Sequence, residues 1–168
     1  MLRVHPLAED DARDLIRSPI EDFPVRYEEE AVERILTATG RQPFLIQATC
    51  RYLVNLLNHE QRHHVGLTDV EQALASCLES CAFYFEELWR GKDADDAQRT
   101  VLTVLAEHSG GPVSEATLTR RVGKRELYPA LQRLLRRDIL EHVDGGYEFL
   151  VKLAADWVRS EHRGYGET

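Results

Sequence analysis

The stretch Thr39-Gly40-Arg41-Gln42-Pro43-Phe44-Leu45-Ile46-Gln47 ends one helix and begins another. Gly40 suits the residue that stops a helix, because glycine tolerates the left-handed backbone found there. Pro43 suits a first turn, where its missing N–H would have no partner anyway. Beyond it, Phe44, Leu45, Ala48, Tyr52 and Leu56 line one side, and Ile46, Cys50, Leu53 and Leu57 another. A helix apolar on nearly all sides is central and buried. This one is expected to be the core of a first helical domain.

Working outward, a short helix is predicted over Asp10 to Arg17, with Ala12, Leu15 and Ile16 inward and a stop before Pro19. A second covers Glu28 to Thr39. Its first turn carries Glu28, Glu29 and Glu30, whose carboxylates suit the positive end of the helix dipole. Val32, Ile35 and Leu36 form its apolar stripe. Downstream, Thr68-Asp69-Val70-Glu71 reads as a capping box opening a fourth helix. Val70, Leu74, Cys77, Cys81, Phe85 and Leu88 keep three- and four-residue steps, so that helix is expected to run on to Arg90.

The second half has a different rhythm. Helices are predicted over Ala94 to His108, over a short segment capped by Ser114 and ending at Arg121, and over Arg125 to Arg137. Ile139 to Val143 and Tyr147 to Val151, joined by Asp144-Gly145-Gly146, read as a β-hairpin. Three helices followed by a hairpin is the winged-helix order, a variant of the helix-turn-helix. A last helix from Leu153 to His162 presents Leu153, Trp157 and Val158 to an apolar surface. The fold expected is mainly α: a helical bundle over residues 1–90, then a winged helix with a small β-hairpin and a C-terminal helix over 91–168.

Composition narrows the function classes. The apolar runs, Pro43 to Ile46 and Leu153 to Ala155 among them, are far too short for a membrane span. Three cysteines without paired spacing argue for packed thiols and a reducing, cytoplasmic setting. The net charge of −8 is uneven: residues 1–91 carry 9 Lys/Arg against 16 Asp/Glu, and residues 92–168 carry 12 against 13. Any nucleic-acid contact therefore belongs to the second half.

At this point a family comes into view. His5-Pro6-Leu7, Ala12-Arg13, Leu15-Ile16, Pro19, Tyr27, the Thr39–Gln47 stretch, Leu53-Val54-Asn55 and Asp69-Val70 resemble the lid of AAA-like ATPases. The likeness is to the signal-transducing (STAND) and archaeal-type groups, relatives of the origin-recognition ATPases. Leu88-Trp89, Gly146-Tyr147-Glu148-Phe149 and Trp157-Val158-Arg159 look like the winged helix that follows that lid. The resemblance implies a module that couples nucleotide state to signal transduction. It places Pro43 against the adenine of ATP or ADP, with Arg41 and Gln42 also facing the nucleotide, in the position of a Gly-x-Pro motif whose glycine falls on Arg41 or is displaced to Gly40. No Gly-x-x-x-x-Gly-Lys-Ser/Thr loop and no acidic strand end for magnesium is present. The expectation is thus a non-catalytic piece of an ATPase. It would hold no cofactor alone, its partners being a P-loop core in cis or trans and a protein effector.

The alternative expectation is double-stranded DNA as partner. Arg120, Arg121, Lys124, Arg125, Arg133, Arg136 and Arg137 surround the second and third winged-helix helices, with only Glu126 opposing them. In such domains the third helix enters the major groove and basic side chains hold phosphates. Tyr128 and Gln132 would then face bases. Two weaker patterns read as structural. His59-Glu60-Gln61-Arg62-His63 has zinc-protease spacing but polar, charged filling, which fits a solvated helix end. Asp93, Asp95 and Asp96 lack calcium-loop spacing and fit a cap.

Overall fold

The computed structural model describes residues 5–108 and 111–162, in two compact units, Met1–Ala82 and Phe83–Thr168. The architecture is mainly helical with one small antiparallel hairpin. No helix among the described residues is long and apolar enough to cross a membrane.

The first unit holds α1 (Glu9–Arg17), β1 (Arg26–Tyr27), α2 (Glu29–Thr39), α3 (Pro43–Glu60), β2 (His64–Val65) and α4 (Leu67–Ser80). Ala12 and Ile16 of α1, Val32 and Ile35 of α2, and Val70 and Ala73 of α4 are fully buried. On α3 the buried stripe is Leu45, Ile46, Thr49, Leu53 and Leu57. Ala48, Tyr52 and Leu56 are half-buried, and Phe44 is 37% exposed. The expectation of a helix buried all round is corrected: α1, α2 and α4 cover one face and leave the other partly open.

Two local features depart from the sequence reading. Arg26–Tyr27 pairs in parallel with His64–Val65, a ladder that no periodicity announced. Helix α4 begins one residue before Thr68, and its cap is Gly66, whose N–H donates to Asp69 Oδ2 at 2.9 Å. A Thr68 capping box is therefore not formed; the carboxylate three residues into the helix reaches back to Gly66 instead.

Nor does α4 continue to Arg90. It ends at Ser80, Cys81 leaves helical geometry at φ −104° and ψ 16°, and α5 (Ala82–Arg90) starts afresh. The apolar spacing runs through the break because each segment keeps its own stripe. The units thus meet at Ala82/Phe83, eight residues before the boundary drawn from the sequence.

The second unit contains α5, α6 (Asp96–Glu107), α7 (Glu115–Val122), α8 (Lys124–Arg136), β3 (Leu140–Val143), β4 (Gly146–Phe149) and α9 (Lys152–Glu161). Helix α6 is its centre, packed by α7, α8 and α9. Asp95 caps it, accepting from the Gln98 N–H at 2.8 Å, as the aspartate cluster suggested. Ser114 caps α7 through the Thr117 N–H at 3.2 Å. Phe85, Trp89 and Trp157 form an aromatic cluster, Phe85 stacked on Trp157 with centroids 6.1 Å apart.

The hairpin pairs Leu140 with Phe149 and Val143 with Gly146. Val113, just before α7, adds an isolated antiparallel bridge to β4: its N–H and carbonyl both bond Tyr147 at 2.9 Å. Gly146 permits that approach. A Cβ there would stand 2.0 Å from the Val113 carbonyl oxygen, and its φ is +140°. The run Gly110-Gly111-Pro112 predicts a break before α7, and its Gly110 lies outside the described residues.

Candidate functional sites

The turn from α2 to α3 is built from two consecutive left-handed residues, Gly40 at φ 57° and Arg41 at φ 58°. Glycine takes that conformation freely. For arginine it costs roughly 1 kcal/mol or more through contact of Cβ with its own backbone. Several bonds hold the strained residue. The Arg41 carbonyl accepts the Leu7 N–H at 2.9 Å, and the Gln42 N–H donates to the Thr39 carbonyl at 3.1 Å. Gln42 is buried, 4% exposed, and its carbonyl accepts from both Leu45 and Ile46 N–H groups. Pro43 then occupies the first helical position. Of the three residues expected at a nucleotide, Arg41 and Pro43 are half-buried and Gln42 is the buried cap behind them.

The basic residues of α7 and α8 do not form one uniform set. Lys124, Tyr128, Gln132 and Arg136 recur every four residues on α8, opposite the buried Leu127, Ala130, Leu131 and Leu134. Tyr128 is 68% exposed, and Lys124, Arg125 and Arg136 are exposed beside it. Arg121 is exposed at the end of α7; Arg120 is exposed too, with one bond to the Thr117 hydroxyl at 3.2 Å. Arg137 is half-buried after α8, within electrostatic reach of Tyr84.

Arg133 belongs elsewhere. Its guanidinium donates to Gln98 Oε1 at 3.2 Å and pairs with Asp95. Gln98 is 1% exposed and donates in turn to the Leu88 carbonyl at 2.8 Å. Arg133 thus completes the bonding of a buried amide at the start of α6. Sequence order hid this, since Asp95 and Arg133 are 38 residues apart. Pro129 also sits inside α8, so the Arg125 carbonyl lacks its i+4 amide donor on the exposed side.

The histidine pair of the zinc-protease pattern is not on one helical face. Helix α3 ends at Glu60, and Gln61 turns left-handed at φ 54° before His63 is reached. Arg62 bonds Glu60 and Asp69, holding the Asp69 carboxyl below its usual range, and His64 Nε2 meets Glu28 at 3.0 Å. Among the described residues, no three His, Cys, Asp or Glu side chains converge as metal ligands.

No protein-family model matches the chain, and no curated protein matches it. Its function has to be argued from these sites.

Proposed function

We propose that the chain is a non-catalytic regulatory module of an AAA-like ATPase of the STAND type, a helical lid followed by a winged helix. It would couple the nucleotide state of a P-loop core, on the same or another polypeptide, to signalling or partner binding. The observation that carries this reading is the left-handed φ of Arg41, two residues before Pro43. An ancestral Gly-x-Pro turn would have that backbone, and arginine retains it at a cost. In this reading Arg41 and Pro43 meet the adenine of ATP or ADP, and Gln42 supports them from beneath.

The test begins with the reading frame and its genomic neighbours, searched for a P-loop polypeptide. Co-expressed with that core, the module should raise affinity for a fluorescent ADP analogue, and Pro43→Ala should reduce the gain about tenfold, the equivalent of ~1.4 kcal/mol. Absence of any P-loop polypeptide, or an affinity indifferent to the module, would refute the reading.

A second reading, duplex DNA binding, is favoured by the Lys124–Tyr128–Gln132–Arg136 stripe. Its cationic members, with Arg121 and Arg125, make no ion pair among the described residues. Fluorescence anisotropy with a random duplex at low salt decides it. Binding that falls steeply with added salt, and is lost in Arg125→Glu, supports DNA; no change in anisotropy excludes it.

A further inference from the structure

Cys77 and Cys81 stand one turn apart at the end of α4, with their Sγ atoms 3.7 Å from each other. Cys77 is 1% exposed, its sulfur 4.0 Å from the Leu45 carbonyl oxygen. Cys81 is half-buried at the cap where α4 ends, and the Ser80 hydroxyl lies 3.9 Å from its sulfur. The two form a dithiol with one inner sulfur and one reached from solvent. The third cysteine, Cys50 on α3, neighbours Tyr27 instead.

Spacing decides which chemistry the pair suits. A disulfide needs sulfurs about 2.05 Å apart and Cβ atoms about 3.5–4.5 Å apart. Residues one helical turn apart hold their Cβ atoms about 5–6 Å apart, so that bond would distort the helix. A single atom bridging both sulfurs needs no such closure. With bonds of about 2.3 Å, a linear centre sets its sulfurs ~4.6 Å apart and a centre with tetrahedral angles ~3.8 Å apart. The dithiol matches the bent arrangement. Zinc would ask for further protein ligands, and among the described residues no third His, Cys, Asp or Glu joins the pair. The match is to a soft, bent centre that takes two thiolates and brings its own third ligand.

We propose that Cys77 and Cys81 bind a monosubstituted trivalent arsenical. The Cys81 sulfur, nearer solvent, makes the first As–S bond and Cys77 closes the ring. In an arsonous acid two As–O bonds break and two As–S bonds form. Each thiol proton leaves with an arsenic-bound hydroxide as water, and no oxidation state changes. Burial and the neighbouring sulfur push the Cys77 thiol up to about 12, so it enters the second step protonated. The site is independent of the nucleotide reading, because the Gly40–Pro43 turn supplies neither sulfur.

Phenylarsine oxide, followed by native intact mass and calorimetry, tests the site. The parent should take up one phenylarsenic group per chain with loss of water, keep it against excess glutathione and yield it to dithiothreitol. Two linked thiols act at high effective concentration, so Cys81→Ser and Cys77→Ala should each weaken binding about a hundredfold or more. Cys50→Ser should bind as the parent does. Circular dichroism checks that each variant is folded, and Cys81→Ser, at a half-buried helix end, keeps the test decisive if Cys77→Ala is not. Three results would overturn the proposal: no adduct with the parent, equally tight binding by folded Cys81→Ser, or loss of binding in folded Cys50→Ser.

Discussion

The imidazole of His162 lies flat on the indole of Trp89, ring centroids 3.9 Å apart and planes within 7° of parallel. Trp157 closes a second side, its centroid 4.9 Å from the imidazole. Burial holds the His162 pKa below the ordinary histidine value, with Glu86 pulling the other way and Arg90 adding to the depression. The native state thus binds fewer protons than the unfolded chain just below that ordinary value. Stability must fall as the pH drops through this interval. Denaturant midpoints of the parent should decrease between about pH 7.5 and 5.5, and His162→Gln should lose part of that decrease. Equal slopes in the two proteins would refute the assignment.

Relief of the Arg41 backbone is measurable on its own. Arg41→Gly removes a left-handed penalty of about 1–2 kcal/mol but adds unfolded-chain freedom of about 0.5–1 kcal/mol. The net expectation is a gain of about 0.5 kcal/mol in urea unfolding. Arg41→Val, β-branched at the same φ, should lose stability instead. A loss in Arg41→Gly would mean that the arginine side chain contributes more than its backbone costs.

Arg133 predicts a division among the cationic residues. Arg133→Met orphans the buried Gln98 carbonyl oxygen and takes one of two partners from the Asp95 carboxylate, and should cost about 1–3 kcal/mol. Arg136→Met, exposed one turn away, should stay within ~0.5 kcal/mol. Chemical denaturation of both variants checks this, and similar losses would contradict it.

Gly146→Ala drives a methyl group into the Val113 carbonyl. The bridge between Val113 and Tyr147 must open, at an expected cost of about 2–3 kcal/mol. Loss of amide protection at Val113 and Tyr147 would locate the damage, and an unaltered melting temperature would deny it.

What could be read from the chain alone follows from how local each signal is. Pro43, Gly40 and Ser114 act within one turn, and the helices they bound lie within a residue or two of where they were expected. The hairpin was legible for the same reason, through Gly145 and Gly146. Arg26–Tyr27 and His64–Val65 were not, because two-residue strands have no periodicity and their pairing is wholly non-local. The break at Cys81 was hidden by apolar spacing that runs through it. At the sites, composition marked the cationic cluster and motif likeness marked the turn. The sign of φ at Arg41 and the tie from Arg133 to Gln98 became visible only with tertiary structure.

The two-rung ladder between Arg26–Tyr27 and His64–Val65 has a kinetic consequence. It joins segments 38 residues apart, a span that α2 and α4 also close through a more extensive packing contact. Closing so long a loop is entropically slow for the little that two rungs return. The helices should therefore assemble first and the ladder register last, after the rate-limiting barrier. Val65→Ala should then accelerate unfolding while leaving the refolding arm of the chevron nearly in place.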